Sequence, residues 1–476
     1  MKRPLRVISA PFEAIAAMDS LGRLAFLAPI LAFEIYLNAT LVLFVSGLWP
    51  WPLERWSPVV AYLLVAHVCL LAGFLWSARS APTLPAGERL TRRVVWAVIM
   101  ANLLLLVPTT VSRTGELVPN VARAWHDYGE VYLASLELRA SRTHPVEYIR
   151  VLVGYVLVPL VPLVVFYWPD MSRWMRVAGG LAVAWTLALG FAMGINKPIA
   201  EFVAVLVAFG SARLFSEPRP PGFRMWRRFA ALTVVITIAG GLSFYRSQTE
   251  RVGQTTDRTT FTIGSRVPDR YVRPRTHADP VGHRVRNAAP MQVIEPRRDH
   301  LLAESLPMPL VVFVERGALY LTQGYYALAL ALDLPWQPTW GAGHSFFVLD
   351  NAAEWFPGLR SKPYPMRLEA WGWDAYRSWS SFYPWVASDL SFGGTLILMF
   401  FIGAGAGASW RDTLAASSPF AVAAFACFLI VILYLPANNQ MLQFGEGWTA
   451  TWGILGAWLW TRRRLAGVPA TSSRRP

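Results

Sequence analysis

Long apolar runs constrain the fold of this 476-residue chain more than any other feature. Several of them contain about 18 or more predominantly apolar residues, which is the length that an α-helix needs to cross a bilayer. Lipid offers no hydrogen-bond partners to the backbone, so such runs are expected to cross as helices. A hydrophobic fraction of 54% also exceeds what a soluble chain of this length can bury. We therefore predict an all-α, polytopic integral membrane protein.

The apolar runs predict about ten transmembrane helices, at residues 23–46, 57–77, 94–112, 149–168, 175–194, 197–215, 229–245, 385–409, 418–436 and 447–461. With ten spans, the most basic short connections and the tail arginines all fall on one side, which the positive-inside rule makes the cytoplasm. Both termini are then cytoplasmic. The first run has no small-residue cleavage site close behind it and is predicted to be a span rather than a removed signal.

Residues 308–334 are also apolar, but a crossing here would move the tail arginines to the other side. Glu315 and Arg316 near the middle would make a lipid-facing span costly. We expect an external helix that lies on the membrane surface or dips into it. The predicted organisation follows: an N-terminal transmembrane bundle, an external insertion, C-terminal transmembrane helices and a disordered cytoplasmic tail, at residues 1–245, 246–384, 385–464 and 465–476.

The insertion begins with an arginine-rich stretch, residues 246–306, that contains eleven arginines and no lysine. Arginine grips phosphate bidentately and stays charged, so the stretch is a candidate clamp for phosphate or pyrophosphate. The alternative is a general preference of the genome for arginine, since the whole chain is rich in arginine and poor in lysine. Residues 335–384 are instead rich in tryptophan and tyrosine, which favours an interfacial aromatic belt or stacking platforms for sugar rings.

Several classes of chemistry have no signature here. The sequence has no nucleotide-binding loop, nucleophile elbow or zinc-protease motif. The histidines lack metal-ligand spacing, and Cys69 and Cys427 both lie in apolar runs, so we expect neither a cofactor nor a disulfide framework. The net charge of +15 suits anionic lipid head groups better than nucleic acid, for which no motif is present. The small-residue run from Gly403 to Gly407 predicts close helix packing.

Candidate functional residues cluster in and beside the insertion. Arg316, Tyr320 and Gln323 share one helix face. Asp389 stands at the head of a predicted span, where it is either an acid at the external entrance or a helix N-cap. Lys197 begins another span and faces Glu201 one turn later, so the two charges can also simply neutralise each other.

The stretch from "YLTQGYYALALAL" through Gly341-Ala-Gly-His344 to "SDLSFGGTLILMFFIGAGAG" resembles the O-antigen polymerases, also called oligosaccharide repeat-unit polymerases. The resemblance at residue level covers about residues 308–409, and the remainder agrees in topology. The family often shows Gly-x-Arg at the start of an earlier span. Here Gly194-Ile-Asn-Lys197 departs from that pattern, which weakens the case for Lys197.

The resemblance implies a metal-independent glycosyltransferase that joins polyprenyl-pyrophosphate-linked oligosaccharide units on the outer face of a bacterial inner membrane. Its partners would be the lipid-linked oligosaccharide, the bilayer, a flippase and a chain-length regulator. Glu315, Arg316 and Asp389 are the catalytic candidates. The candidates for binding pyrophosphate or sugar are Arg266, Arg270, Arg273, Tyr320, Tyr325 and Lys197.

Three alternatives remain open at this point. An O-antigen ligase would move a finished glycan from the same lipid to another acceptor. A glycosyltransferase that uses polyprenyl-monophosphate sugars usually has an acidic pair in the first external loop, where this chain has only Glu54. A transporter or flippase would carry charges at the bilayer midplane, and here only Glu34 is an exception to the concentration of charge outside.

Overall fold

The computed structural model describes residues 11, 13–80, 87–141, 144–216, 223–251, 261–263, 292–297, 299–376, 378–415 and 418–466. In this part of the chain the fold is helical, apart from one short antiparallel pair of strands, β1 (Phe261–Ile263) and β2 (Gln292–Ile294). The first five helices are α1 (Ser20–Ser46), α2 (Ser57–Trp76), α3 (Glu88–Thr114), α4 (Val121–His126) and α5 (Tyr128–Ser141). They are followed by α6 (Pro145–Leu152), α7 (Gly154–Leu157), α8 (Leu160–Tyr167), α9 (Arg173–Ala192), α10 (Lys197–Phe215) and α11 (Phe223–Arg251).

Beyond the strands, the chain forms α12 (Leu301–Ser305), α13 (Met308–Leu332), α14 (Phe346–Trp355), α15 (Tyr364–Arg367), α16 (Phe382–Leu414), α17 (Pro419–Tyr434) and α18 (Gly445–Ala466). The boundaries expected at residues 245 and 384 therefore fall inside helices, α11 and α16. Short 3₁₀ turns occupy Ser77–Arg79, Trp168–Asp170, Pro357–Leu359 and Leu368–Trp371.

Six of the described helices are long and apolar enough to cross a membrane: Ser20–Ser46, Ser57–Arg79, Glu88–Thr114, Arg173–Ala192, Lys197–Phe215 and Phe382–Leu414. A seventh candidate is the pair Pro145–Leu152 and Gly154–Asp170, which is bent by 71°. Two shorter apolar helices, Phe229–Tyr245 and Pro419–Tyr434, lie among the remaining elements. The helical membrane class is thus supported, whereas the expected count of about ten spans is not confirmed.

Helices α2 and α16 form the most extensive pair in the core, and they run parallel. Tyr62 in the first half of α2 contacts Phe392 in the first half of α16, with ring centroids 5.4 Å apart. Arg411 near the end of α16 donates to the Ser77 carbonyl just after the end of α2 at 3.0 Å. Close approach is possible because Gly403 faces α2 directly: a Cβ there would collide with the carbonyl oxygen of Leu70. This contact confirms that the small-residue run serves helix packing.

Helix α16 is broken at Ser391, whose backbone is left-handed with φ 63° and ψ 168°. Such a conformation costs a residue with a side chain about 1–3 kcal/mol and needs local support. The Ser391 hydroxyl accepts from Gly394 N at 3.3 Å, and its carbonyl accepts from the Thr395 hydroxyl at 2.8 Å. Ser391 therefore begins a new helical segment and leaves a short preceding one, residues 382–390, that carries Asp389.

Helix α13, which the sequence predicts to lie on the membrane surface or to dip into it, packs against α1 and the α1–α2 connection within the protein. Tyr325 is fully buried and hydrogen-bonds Thr40, in the last third of α1, at 3.0 Å. Tyr326 stacks on Trp51, and the following Ala327 and Leu328 are also enclosed. The Tyr-Tyr-Ala-Leu run buries apolar surface against the rest of the bundle, and α13 is not among the described helices that are long and apolar enough to cross a membrane. Its position relative to the membrane stays a prediction.

One end of the bundle gathers the end of α1, the start of α2, the end of α3 and the start of α18. We call it the site end. The opposite end holds Arg411 and Asp412, with Asp412 accepting from Trp458 at 3.0 Å and lying 3.6 Å from Arg462 of α18. These contacts make α16 and α18 parallel, so the first turns of both helices lie at the site end.

Candidate functional site

A buried carboxylate organises the site end. Asp389 accepts hydrogen bonds from Gly341 N at 2.8 Å, Gly343 N at 2.9 Å and His344 N at 3.0 Å. The Thr339 hydroxyl donates to it at 2.5 Å, and His344 Nδ1 lies 2.8 Å from it. All these partners belong to the turn at residues 339–344. Asp389 therefore holds this turn and does not cap its own helix, which begins seven residues earlier at Phe382.

The turn needs such support because its backbone is unusual. Trp340 has φ 54° and Gly341 has φ 87°, so two consecutive residues are left-handed. Gly341 adopts this conformation freely, but Trp340 is strained by it. The indole of Trp340 is 83% exposed, so packing does not offset the strain. The hydrogen bonds to Asp389 do, and they set the direction in which the chain enters His344.

His344 is fixed through both ring nitrogens. Nδ1 faces the Asp389 carboxylate, and Nε2 accepts from the indole nitrogen of Trp448 at 3.1 Å. An indole can only donate, and a neutral imidazole has one donor and one acceptor, so the proton is on Nδ1 and Nε2 carries the lone pair. The His344 carbonyl also accepts from Asn439 at 2.6 Å. A histidine oriented in this way by a carboxylate is arranged as a general base.

Four charged side chains meet beside this histidine. Arg113, at the end of α3, donates two hydrogen bonds to Glu147, at 2.9 and 2.8 Å. Arg150 donates two to Glu446, at 3.3 and 2.5 Å. Arg113 also reaches Glu446 at 3.3 Å, which joins the two pairs. Two arginine forks are thus held together at the site end, and each is matched by a carboxylate.

The first turn of α18 connects this charged cluster to the histidine. Glu446 bonds the two arginines, and Trp448, two residues later, caps His344. Phe347 packs on Trp448 with centroids 6.0 Å apart. The exposed fractions of the Arg150, Glu446 and His344 side chains are 15%, 22% and 15%, so the groups are enclosed but within reach of a ligand.

The sequence candidates on α13 lie elsewhere. The Glu315 carbonyl accepts from the Trp49 indole at 2.8 Å, and both Glu315 and Arg316 are buried. Burial lowers the pKa of Arg316, an effect that the adjacent Glu315 opposes; arginine remains charged because its ordinary pKa is so high. The described contacts of Asp389 are all with the turn, so the structure does not bring Asp389 and Glu315 together.

The remaining candidates have separate surroundings. Tyr320 packs edge-on against Phe244 and Trp379, whereas Tyr325 is enclosed in the core, where a sugar cannot reach it in this conformation. Lys197 pairs with Glu201 at 3.5 Å, as the neutralising interpretation expected. Arg266, Arg270 and Arg273 lie outside the described residues.

Sequence reasoning missed Arg113, Glu147, Arg150, Glu446 and Trp448, and it named His344 only as the end of a glycine-rich turn. The signal available was charge in apolar surroundings: Arg150 lies at the start of the predicted span 149–168 with Glu147 just before it, and Glu446 immediately precedes the last predicted span. Within the described ranges, no three histidine, cysteine, aspartate or glutamate side chains lie together as a candidate metal site.

Comparison with known proteins adds no assignment. No protein-family model, curated protein or solved structure matches this chain.

Proposed function

We propose that the protein is a membrane glycosyltransferase that polymerises polyprenyl-pyrophosphate-linked oligosaccharide repeat units, with His344 as the base. The observation that carries the proposal is the Asp389–His344 pair, set 2.8 Å apart in a constrained turn beside Arg113 and Arg150. Sugar transfer from a lipid pyrophosphate needs a base that deprotonates the acceptor and cationic groups that stabilise the leaving pyrophosphate, and this pair of features supplies both. The resemblance of residues 308–409 to repeat-unit polymerases points to the same activity.

The reaction uses these groups in defined roles. An acceptor hydroxyl gives its proton to His344 Nε2 while its oxygen bonds the anomeric carbon of the donor sugar. The bond from that carbon to the pyrophosphate oxygen breaks, and the electron pair leaves with the pyrophosphate. Asp389 keeps the imidazole oriented and stabilises the imidazolium that forms. The guanidinium groups of Arg113 and Arg150 stabilise the charge that develops on the leaving group.

The test is to replace His344 with glutamine in a deletion strain complemented with the gene, and to examine polymer laddering on a gel. Glutamine preserves hydrogen bonding but cannot take a proton at the operating pH. We expect loss of polymer with normal protein in the membrane. His126→Gln is the matched control, because His126 is exposed and lies at the end of the separate helix α4. Full-length polymer from His344→Gln would show that His344 is not the base and would reject the proposal.

A ligase shares this chemistry and differs in its product. Both enzymes take the glycan from a lipid pyrophosphate, but a ligase transfers a finished chain once to a different acceptor. Incubating the purified protein with a single lipid-linked repeat unit separates them. A polymerase produces a ladder from that substrate alone, whereas a ligase leaves it unchanged until its own acceptor is added.

The proposed activity requires the site end on the outer face of a bacterial inner membrane, with both termini in the cytoplasm. Cysteines introduced at positions 280 and 360, in a background that lacks Cys69 and Cys427, should react with an impermeant thiol reagent in intact spheroplasts. Labelling at only one of the two positions would place a membrane crossing between them and reject this topology.

Transport is a second candidate, and two observations favour it. The bundle contains broken helices, at Ser391 and at the 71° bend after Leu152. It also holds Glu34 of α1 and His67 of α2 3.9 Å apart, midway along helices long enough to span. Broken helices and interior charges are typical of transporters. A transporter would keep moving lipid-linked oligosaccharide across vesicle membranes after His344→Gln and would lose that movement after Glu34→Gln. The proposed enzyme would lose polymer after His344→Gln and keep it after Glu34→Gln.

A further inference from the structure

The hydrogen bond from Trp448 poses a difficulty for the base. A general base must accept the proton of the acceptor hydroxyl at Nε2, and that lone pair already accepts from the indole nitrogen at 3.1 Å. The other ring nitrogen faces Asp389 at 2.8 Å. In this arrangement His344 is oriented but occupied, so Trp448 has to withdraw before a hydroxyl can take its place.

The same helical turn carries the group that would move with Trp448. Glu446 is held by both arginines, with Arg150 Nη2 at 2.5 Å and Arg113 Nη2 at 3.3 Å. Glu446 and Trp448 are two residues apart in the first turn of α18. The two arginines therefore hold this turn in place through one carboxylate, and the turn in its position holds the indole on His344.

The arginine forks are also the feature that would recognise a ligand. Guanidinium groups bind phosphate oxygens bidentately, in the same geometry as the Glu446 carboxylate. A pyrophosphate offers two such groups and more negative charge than a carboxylate. The ligand therefore competes with Glu446 for the Arg150 fork and for Arg113 Nη2, while Glu147 holds the rest of the Arg113 fork. The ligand consequently binds more tightly to the state in which Glu446 has left. A ligand shifts an equilibrium by such a difference in affinity.

We propose that Trp448 is a removable cap on His344, and that a pyrophosphate group bound by Arg113 and Arg150 removes it by displacing Glu446. Trp448 and Glu446 are then positioning residues: Trp448 leaves Nε2 before the acceptor hydroxyl arrives, Glu446 holds the turn that carries Trp448, and both control when the base is free. Binding of the pyrophosphate-linked donor and release of the base become one event. This inference rests on the proposed function, since it assumes His344 as the base.

The experiment measures the reactivity of His344 rather than product. Diethylpyrocarbonate acylates an unprotonated imidazole nitrogen that is free, and mass spectrometry of the peptides gives the rate at each histidine. The full chain is purified in detergent, and the exposed His126 serves as the internal reference for reagent concentration. Inorganic pyrophosphate and farnesyl pyrophosphate are the two probes, which separate a free anion from an isoprenyl lipid head group.

With the wild-type chain, we expect pyrophosphate to raise the modification rate of His344 about tenfold. This corresponds to a tenfold increase in the fraction of molecules in which Trp448 has left His344. Trp448→Phe, which keeps an aromatic ring without the N–H, should react at the raised rate with no ligand. Arg150→Gln should lose the response to ligand. Trp452→Phe is the matched control one turn along α18, since Trp452 is half-exposed and packs on Trp448 without contacting His344 through its nitrogen.

This experiment tests the cap separately from the proposed function, because it contains no glycan or acceptor and does not depend on product formation. A response to farnesyl pyrophosphate alone supports the cap with a lipid ligand, and a response to both probes supports it for the shared head group. It is overturned if neither probe changes the rate, if sulfate at equal ionic strength acts equally, or if Trp448→Phe reacts like wild type. Should Trp448→Phe not fold, Glu446→Gln replaces it, because a neutral amide holds the arginines less tightly and must also raise the unliganded rate.

Discussion

Asp389 and Glu315 are two acidic side chains in similarly buried positions with very different surroundings. The Asp389 side chain is 7% exposed and receives donors from Thr339, Gly341, Gly343 and His344, all in one turn. Glu315 is buried as a whole residue, lies beside Arg316 on α13, and its main-chain carbonyl accepts a hydrogen bond from the Trp49 indole. Burial alone therefore does not distinguish the two side chains, whereas the convergence of donors from one turn on the Asp389 carboxylate makes Asp389 the stronger site candidate.

The largest effect should come from removing the Asp389 carboxylate. Asp389→Ala leaves buried donors of the 339–344 turn without acceptors, at about 1–3 kcal/mol for each unsatisfied group. Nothing would then offset the strained backbone of Trp340. We expect complete loss of polymer, together with faster proteolytic cleavage within residues 339–344.

Asp389→Asn sharpens the interpretation of that result. An amide keeps one acceptor oxygen but replaces the other with an NH2 group. The oxygen can still accept from part of the turn, whereas the NH2 group faces backbone N–H donors and repels them. Polymer should fall strongly, and protein levels should be closer to wild type than with alanine. Wild-type ladders from the asparagine variant would mean that Asp389 only supports the turn and does not orient the base.

The next effect concerns the charged cluster at the start of α18. Arg150→Gln leaves Glu446 with only the longer contact to Arg113. Breaking a buried pair costs about 3–5 kcal/mol, and the partial exposure of these side chains reduces this to about 2–3 kcal/mol. The measurement is the thermal unfolding of the purified protein in detergent.

A double-mutant cycle provides the control for this prediction. Adding Glu446→Gln to Arg150→Gln removes the uncompensated charge, so the double variant should be more stable than the sum of the two single losses. Additive losses would show that the two side chains do not interact and that the first turn of α18 is held by packing alone.

These contacts also explain which features of the fold and the candidate site could be predicted from the sequence. Periodicity and composition predicted the helices, because both are local along the chain, and the run at Gly403 predicted its packing role correctly. The partners of Glu446 lie 296 and 333 residues away in the sequence, and His344 lies 45 residues from Asp389. No spacing rule connects positions so far apart. The neighbours of α13 on α1 are also remote in the sequence, so its apolar face predicted burial but could not identify the helix that buries it.

A smaller effect is expected for the pair on α13. Arg316→Lys preserves the charge but loses the planar fork, and among the described residues Arg316 Nε has no hydrogen-bond partner. We predict a severalfold reduction in polymer, against complete loss for Asp389→Ala, measured on the same gel at matched protein levels. Glu315→Gln should leave a ladder of normal length. If Glu315→Gln instead abolished polymer while Asp389→Asn did not, the comparison would be reversed and α13 would carry the acid.

The smallest effect should follow Tyr325→Phe, which tests the sugar-binding role that the sequence gave this residue. The change removes one hydroxyl and its 3.0 Å hydrogen bond to Thr40 and leaves the ring in the core. Loss of one buried hydrogen bond costs about 0.5–1.5 kcal/mol. We expect a slightly lower unfolding temperature and an unchanged polymer ladder. Thr40→Val, which removes the other partner, is the matched control and should lower stability by a similar amount. A normal unfolding temperature combined with shortened polymer would mean that the Tyr325 hydroxyl contacts substrate, and that α13 moves enough during the reaction to expose it.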